Sequence, residues 1–311
     1  MRRVGAMVAR GLERGFSVWI VLGFLVGLAL PTLPVPGPLP AGLLSVVLFF
    51  AYAGITREDL RAVRPFSGLG FVALRFGLVP AAVWGAARIV GAEATAPGLL
   101  LLALLPSGAT STAVTAILRG NAALALGSTV VTTAAVPVVV PLVMSWAVGA
   151  GVGVDPVAMA ATLGGIVGIP AVLYGLIARL RPAVLPALRT RGSAMSVALI
   201  CSITTLVTNG QRARILAQPG HLAALFAAGI LFYGLAYAVG LGWGWRGRAR
   251  DRIGWSIASG NNNIVLGLTL ALLHLPDQVV VLLAALPAWI VGLAAIKPTL
   301  RAVSPSDREP D

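Results

Sequence analysis

Ten apolar segments run along the chain, divided by short polar loops: approximately Phe16 to Leu30, Ala41 to Ile55, Pro65 to Ile89, Pro97 to Leu118, Ala122 to Val148, Val157 to Ala178, Ser193 to Val207, Leu222 to Trp243, Ile253 to His274 and Val279 to Ile296. A helix crossing a bilayer upright needs roughly 20 apolar residues, so the shorter segments leave their ends uncertain by a few positions. No small-residue cleavage pattern separates the first segment from the second, and it reads as an uncleaved first helix. The pattern predicts an all-α polytopic membrane protein with ten spans. Two of these spans are interrupted in the middle. Pro106-Ser107-Gly108-Ala109-Thr110-Ser111-Thr112 breaks the fourth, and Ala258-Ser259-Gly260-Asn261-Asn262-Asn263 breaks the ninth.

Composition agrees with this reading. With 58% hydrophobic residues, 11% charged residues and a mean hydropathy of +0.93, the chain lacks the polar surface that covers a soluble core. The one cysteine, Cys201, lies in an apolar segment and leaves no disulfide framework or thiolate metal cluster available. A formal charge of +13 would suggest nucleic acid in a soluble protein, but here its distribution explains it differently, and no nucleic-acid partner is expected. Nineteen of the 23 basic residues fall in one set of alternate loops: Arg2, Arg3, Arg10 and Arg14; Arg57, Arg61 and Arg64; Arg119; Arg179, Arg181, Arg189 and Arg191; Arg246, Arg248, Arg250 and Arg252; and Lys297, Arg301 and Arg308. Only Arg88, Arg212 and Arg214 fall in the other set. The positive-inside rule therefore places both termini in the cytoplasm, which requires an even number of spans and fits a bacterial-type inner membrane. All ten acids lie in loops or tails, while Arg75 alone among the basic residues lies within a span.

Ten spans divide into five and five near Asp155, giving halves 1–154 and 155–311, with an interruption in the fourth segment of each. Because five is odd, a duplicated half enters the membrane the other way up, as an inverted repeat. Each break carries Ser-Gly, at Ser107-Gly108 and Ser259-Gly260. Glycine permits the unwinding, and the N-H and C=O groups it frees must be satisfied by protein, ion, substrate or trapped water at that depth. Half-helix N-termini after each break present a positive dipole end to an anionic group. Thr110, Ser111, Thr112, Asn261, Asn262 and Asn263 add hydroxyls and amides, making the breaks the candidate substrate site. The plainer alternative is a pair of kinked helices whose polar groups only bond to neighbours.

The residues Pro106 to Thr112, then Leu118-Arg119-Gly120-Asn121-Ala122-Ala123-Leu124-Ala125, Thr129 and Pro137, resemble the fourth and fifth helices of the bile acid:sodium symporter family. That family has a P-G-G-x-x-S-N break, an R-G-N turn and a helix with threonines and a proline. Gly54-Ile55-Thr56-Arg57-Glu58-Asp59-Leu60 is similar to its G-L-x-x-x-D-F loop, and Ser259 to Asn263 occupies the place of its ninth-helix break. The resemblance implies a core domain holding the two crossed, broken helices and a panel domain made from the first two helices of each repeat. It also implies alternating-access transport of a small organic anion with sodium, and no organic cofactor. Carried over by position, Ser111 and Thr112 match the Ser-Asn sodium ligands, and Thr129 a threonine ligand on the next helix. Asn262 stands where the ninth helix usually has glutamine, as a weaker candidate ligand, and Asn263 matches the asparagine after it.

Three positions depart from the family pattern. A ligand serine has become Ala125, the glutamate that bridges both sodium ions aligns with Ala258, and the glutamine completing the second sodium site aligns with Arg75. Arg75 is about ten residues from either end of its span, where an unpaired cation costs about 2.5 to 3.5 kcal/mol even on the permissive insertion scale. Its expected partners are carbonyls at a half-helix C-terminus, the amide oxygens of Asn261 or Asn262, or an anionic substrate. The guanidinium is thus expected in the place of the second sodium ion, with sodium coupling weakened or lost. The alternative is an arginine reaching a headgroup or cytoplasmic partner along a tilted helix.

Rival functions lack their chemistry. A cation/proton antiporter needs a membrane carboxylate, and an intramembrane enzyme needs a His, Asp or Glu pair at depth. Neither pattern is present in the spans. An arsenite exporter is expected to carry a cysteine in the fourth helix, whereas Cys201 is in the seventh. His221 and His274 lie near outer span ends, and Trp243 and Trp245 beside Arg246 read as an interfacial anchor. A non-transporting membrane sensor or scaffold on the same fold remains the alternative from another class.

Overall fold

The structure is a computed structural model and describes residues 16–34, 36–55, 70–148 and 154–303. The stretch 56–60 of the second-helix loop motif and the basic clusters at 2–14 and 57–64 lie outside the described residues. All regular structure among the described residues is helical: α1 Phe16–Ala29, α2 Leu39–Gly54, α3 Gly70–Ile89, α4 Ala96–Leu104, α5 Ser111–Ile117, α6 Ala122–Val148, α7 Pro156–Leu180, α8 Leu185–Ala217, α9 Pro219–Trp243, α10 Ala249–Gly260, α11 Ile264–His274 and α12 Val279–Val303. Six of them (α3, α6, α7, α8, α9 and α12, two with a short 3-10 turn at their start) are long and apolar enough to cross a membrane by themselves. The others are shorter, and two expected spans are each divided in two.

Local chemistry sets these boundaries. Leu105 precedes Pro106, which disfavours the helical backbone, and Leu105 is extended at φ −67° and ψ 143°, ending α4. Arg119 adopts a left-handed φ of 59° beyond the end of α5. In α3, Pro80 has no N-H to return to Phe76, and the turn before it is a π-turn over Leu74–Leu78, with the Val79 N-H bonded to the Leu74 carbonyl. At the start of α7, the Asp155 side chain accepts from the N-H groups of Val157 (2.9 Å) and Ala158 (3.1 Å).

Helix α8 differs from expectation. The apolar pattern predicts a span over Ser193 to Val207, yet α8 has 33 residues and runs through Arg189, Arg191, Arg212 and Arg214. Arginine is a good helix former, and its long stem can carry the charge beyond the apolar zone, so a basic cluster marks where lipid ends but not where the helix ends. Arg189 Nε bonds the Ala53 carbonyl at 2.9 Å and Arg212 Nε the Leu28 carbonyl at 2.9 Å, tying α8 to the ends of α2 and α1.

Two groups of helices emerge from the packing. Helix α8 lies along α1 and α2, with α7 against α2, while α9 packs on α10 and α12, and α6 on α4, α5 and α10; the groups join where α6 also packs on α7. Exposed large side chains such as Val18, Leu25, Leu142, Trp146, Ile169 and Leu231 are distributed over the outer helix faces, as expected where lipid is the solvent. The core is densest where α4, α10, α11 and α12 meet: Leu101, Leu102, Leu104, Ile257, Leu268 and Leu282 are completely buried there.

Candidate binding centre at the two broken helices

The interruption between α4 and α5 faces the one between α10 and α11, and the two share their unpaired backbone groups. Ser107 and Asn262 form an isolated antiparallel bridge. Around it, Gly108 N-H donates to the Asn261 carbonyl at 2.6 Å and Asn263 N-H to the Pro106 carbonyl at 2.9 Å. Groups freed by unwinding are thereby satisfied by the other break, the protein-side solution open to irregular backbone at membrane depth. The approach is close enough to need glycine. A β-carbon at Gly108 would lie 3.0 Å from the Asn262 carbonyl oxygen, and one at Gly260 would lie 2.2 Å from the Tyr237 ring.

Side chains extend this junction. Ser107 Oγ donates to the Ala258 carbonyl at 2.5 Å, and Thr132 Oγ1 accepts from the Ser107 N-H at 3.1 Å. The three consecutive asparagines have separate tasks. Asn261 Nδ2 donates to Thr110 Oγ1 at 3.0 Å, and Asn263 Oδ1 accepts from Leu266 N-H at 3.3 Å as the N-cap of α11. Asn262 Nδ2 donates to the Leu102 carbonyl at 2.8 Å, and its Oδ1 accepts from Arg75 Nη2 at 2.6 Å. A guanidinium only donates, which fixes the orientation of this amide.

Arg75 is completely buried. Besides Asn262, its Nη2 donates to the Leu105 carbonyl at 2.8 Å and its Nη1 to the Ala103 carbonyl. These oxygens lie at the C-terminal end of α4, where the helix dipole favours a cation. The partners belong to the half-helix carbonyls and asparagine amides expected from the sequence. Among the described residues, the hydrogen bonds of Arg75 run to these three oxygens, and it is not part of the lining of the cleft described below.

Ser111 and Thr129 meet at the Gly108 carbonyl, and Thr112 follows Ser111 in α5. Thr129 Oγ1 is 3.4 Å from that oxygen and 3.0 Å from the Ala125 carbonyl. The Ser111 N-H donates to the Gly108 carbonyl at 3.0 Å, and its Oγ lies 3.3 Å from the Asn261 carbonyl. Ser111 is buried, while Thr112 and Thr129 are half-buried. Ala125 and Ala258 are completely buried and supply no side-chain oxygen. Among the described residues, no group of His, Cys, Asp or Glu is arranged to hold a metal ion.

Beside the breaks lies a small cleft, open in part to its surroundings. Gly108, Thr110 and Asn261 to Asn263 form its polar end, and Ile20, Val47, Ile200, Leu286 and Trp289 its apolar wall. Among the described residues, no charged side chain lines it. The apolar wall, drawn from α1, α2, α8 and α12, has no signature in the sequence. Only Trp289 stands out, as a tryptophan far from either end of its helix.

Two broken apolar helices paired beside a partly polar cleft, among six helices long and apolar enough to cross a membrane, belong to an integral membrane protein. The chain belongs to the family described as the sodium bile acid symporter family, whose model matches residues 40–218, more than half of its length. It is a transporter of the bile acid:sodium symporter type; members of this family are transporters and not enzymes. One relative, the "Uncharacterized sodium-dependent transporter YocS" of Bacillus subtilis (strain 168), is 26% identical over 231 residues, covering 72% of this chain and 70% of that protein. Another from the same organism, "Uncharacterized protein YbaS", is 26% identical over 278 residues, covering 82% of this chain and 90% of that protein.

Proposed function

We propose that the chain is a secondary transporter of a small organic anion, working by alternating access with sodium coupling weakened or lost. In this reading the ten apolar segments are ten spans, arranged as inverted halves 1–154 and 155–311 in a bacterial-type inner membrane with both termini cytoplasmic. The group α1, α2, α7 and α8 corresponds to the panel and the remaining helices to the core. Thr110 and Asn261 to Asn263 contact the substrate, with Ser111 and Thr112 beside them. Arg75 acts through Asn262, which it holds at the edge of the cleft.

The observation that carries this reading is the set of acceptors around Arg75. Sodium is a hard cation and needs oxygen ligands. The Ala103 and Leu105 carbonyls and Asn262 Oδ1, which would serve one at the crossing, are all bound to the guanidinium. Ser111, Thr112 and Thr129 form the remnant of another site, with Asn262 as a weaker candidate. They are neutral, and neither Ala125 nor Ala258 adds an oxygen ligand through its side chain. The relative named a sodium-dependent transporter supports the transport activity, and Arg75 is the reason to separate that activity from sodium. The test is uptake of a panel of labelled carboxylates into proteoliposomes, with sodium present or replaced by choline. Uptake that persists in choline is expected, whereas strict dependence on two sodium ions per cycle would sink the proposal.

A further inference from the structure

We infer that the charge moved in a full transport cycle is the substrate's own and nothing else, so that across a negative-inside membrane this chain releases organic anions instead of accumulating them. The inference rests on the anion-transport reading above and extends it to the driving force. An anion is accumulated against a negative interior only if mobile cations cross with it. Arg75 is a cation, but it is covalently part of the carrier. Whatever path it follows when the carrier is loaded, it retraces when the carrier returns empty, and over a closed cycle it contributes no charge.

Mobile cations have little to bind. The strongest cluster of buried oxygens at the crossing, the carbonyls of Ala103 and Leu105 with Asn262 Oδ1, is held by the guanidinium. The hydroxyls of Ser111 and Thr129 lie near neutral carbonyls, with a fixed positive charge at the same junction. The described carboxylates are Glu93, Asp155, Asp251 and Asp277. They lie at helix ends and in loops: Asp155 caps α7, Asp277 pairs with Arg214 at 2.8 Å, and Asp251 accepts from Asn121 at 2.7 Å. A proton as the co-ion meets the same difficulty, because among the described residues no Asp, Glu or His lines the cleft. A monovalent anion therefore crosses alone. The potential acts on it with about 2.3 kcal/mol per 100 mV, equivalent to a distribution of about 50-fold.

The experiment uses the purified full chain in proteoliposomes with labelled taurocholate, whose sulfonate stays ionised and does not leak through lipid as a neutral acid. Sodium is replaced by choline on both sides, and a potassium gradient with valinomycin sets the potential. The expected result is net movement toward the positive side, approaching about 50-fold per 100 mV and unchanged by an imposed sodium or proton gradient. Sodium-free flux that ignores the potential, or follows a proton gradient, overturns this inference and leaves the sodium-free reading standing. Flux that requires sodium, or no flux of taurocholate or of any of the labelled carboxylates above protein-free vesicles, overturns that reading and the inference with it.

Discussion

The C-terminal ends of α1 and α4 are each closed by a fully buried side chain from another helix, and these two side chains differ in charge. At the end of α1, Asn209 Nδ2 donates to the carbonyls of Gly27 (3.1 Å), Leu30 (3.2 Å) and Pro31 (3.0 Å), while its Oδ1 accepts from Leu33 N-H at 2.8 Å. At the end of α4, Arg75 donates to the carbonyls of Ala103 and Leu105 and to Asn262. Both side chains are buried and both satisfy carbonyls that have no helical partner. At the α1 end the buried group is a neutral amide, and the cation beside it, Arg212 on the Leu28 carbonyl at 2.9 Å, is only half-buried. What sets the α4 end apart is a positive charge that is completely buried, and it lies where α4 meets the second break.

Replacing either cap tests this distinction, and the largest effect is expected at Arg75. Arg75→Ala leaves two carbonyls and the Asn262 amide oxygen buried without donors, at about 1 to 3 kcal/mol for each unsatisfied group. We expect a stability loss of about 3 to 5 kcal/mol by denaturation in detergent, together with loss of transport. Asn209→Ala strands three carbonyls and one N-H, but most of these bonds are only part-buried and water can replace them, so it should cost less, about 2 to 3 kcal/mol, and leave the ion dependence of transport as it was. If Asn209→Ala abolished transport as Arg75→Ala does, the distinction between the caps would be gone.

Arg75→Gln sharpens the comparison, because it places at the α4 end the kind of group that Asn209 places at the α1 end. Its stability cost should be smaller, about 1 to 2 kcal/mol. The sign of the ion response is more informative. With the guanidinium removed, the freed oxygens should bind sodium, and melting in sodium chloride should exceed melting in choline chloride through linkage. Equal melting in both salts would mean that Arg75 does not stand in for an ion. The smallest effect is expected at an exposed helix end. Asp155→Ala removes the N-cap of α7 and should cost about 1 kcal/mol, with no effect on flux.

Much of this centre was legible in the sequence because it depends on local rules. Prolines, glycines and polar residues within apolar runs located the breaks, and the depth of Arg75 within its span required nearby acceptors of the kind found. The pairing of one break with the other was not legible, because Ser107 and Asn262 meet only through tertiary contact. Nor could the pattern assign tasks to Asn261, Asn262 and Asn263, which are chemically identical and differ only in direction. The length of α8 was missed for a different reason: hydropathy measures contact with lipid, and the helix continues through its arginines into polar surroundings. The cleft wall carries no chemical signal, since Ile20, Val47 and Leu286 are like many other apolar residues of the chain.

The bridge between Ser107 and Asn262 also constrains how the protein is made. The two residues are 155 positions apart. At about 5 to 20 residues per second, translation delivers the second break roughly 8 to 30 seconds after the first. Throughout that interval the N-H of Gly108 and the carbonyl of Pro106 are without the partners that later close them, and lipid offers none. The nascent first half must keep its break in contact with water or with the insertion machinery until the second half arrives, which makes completion of the chain a condition for sealing its centre.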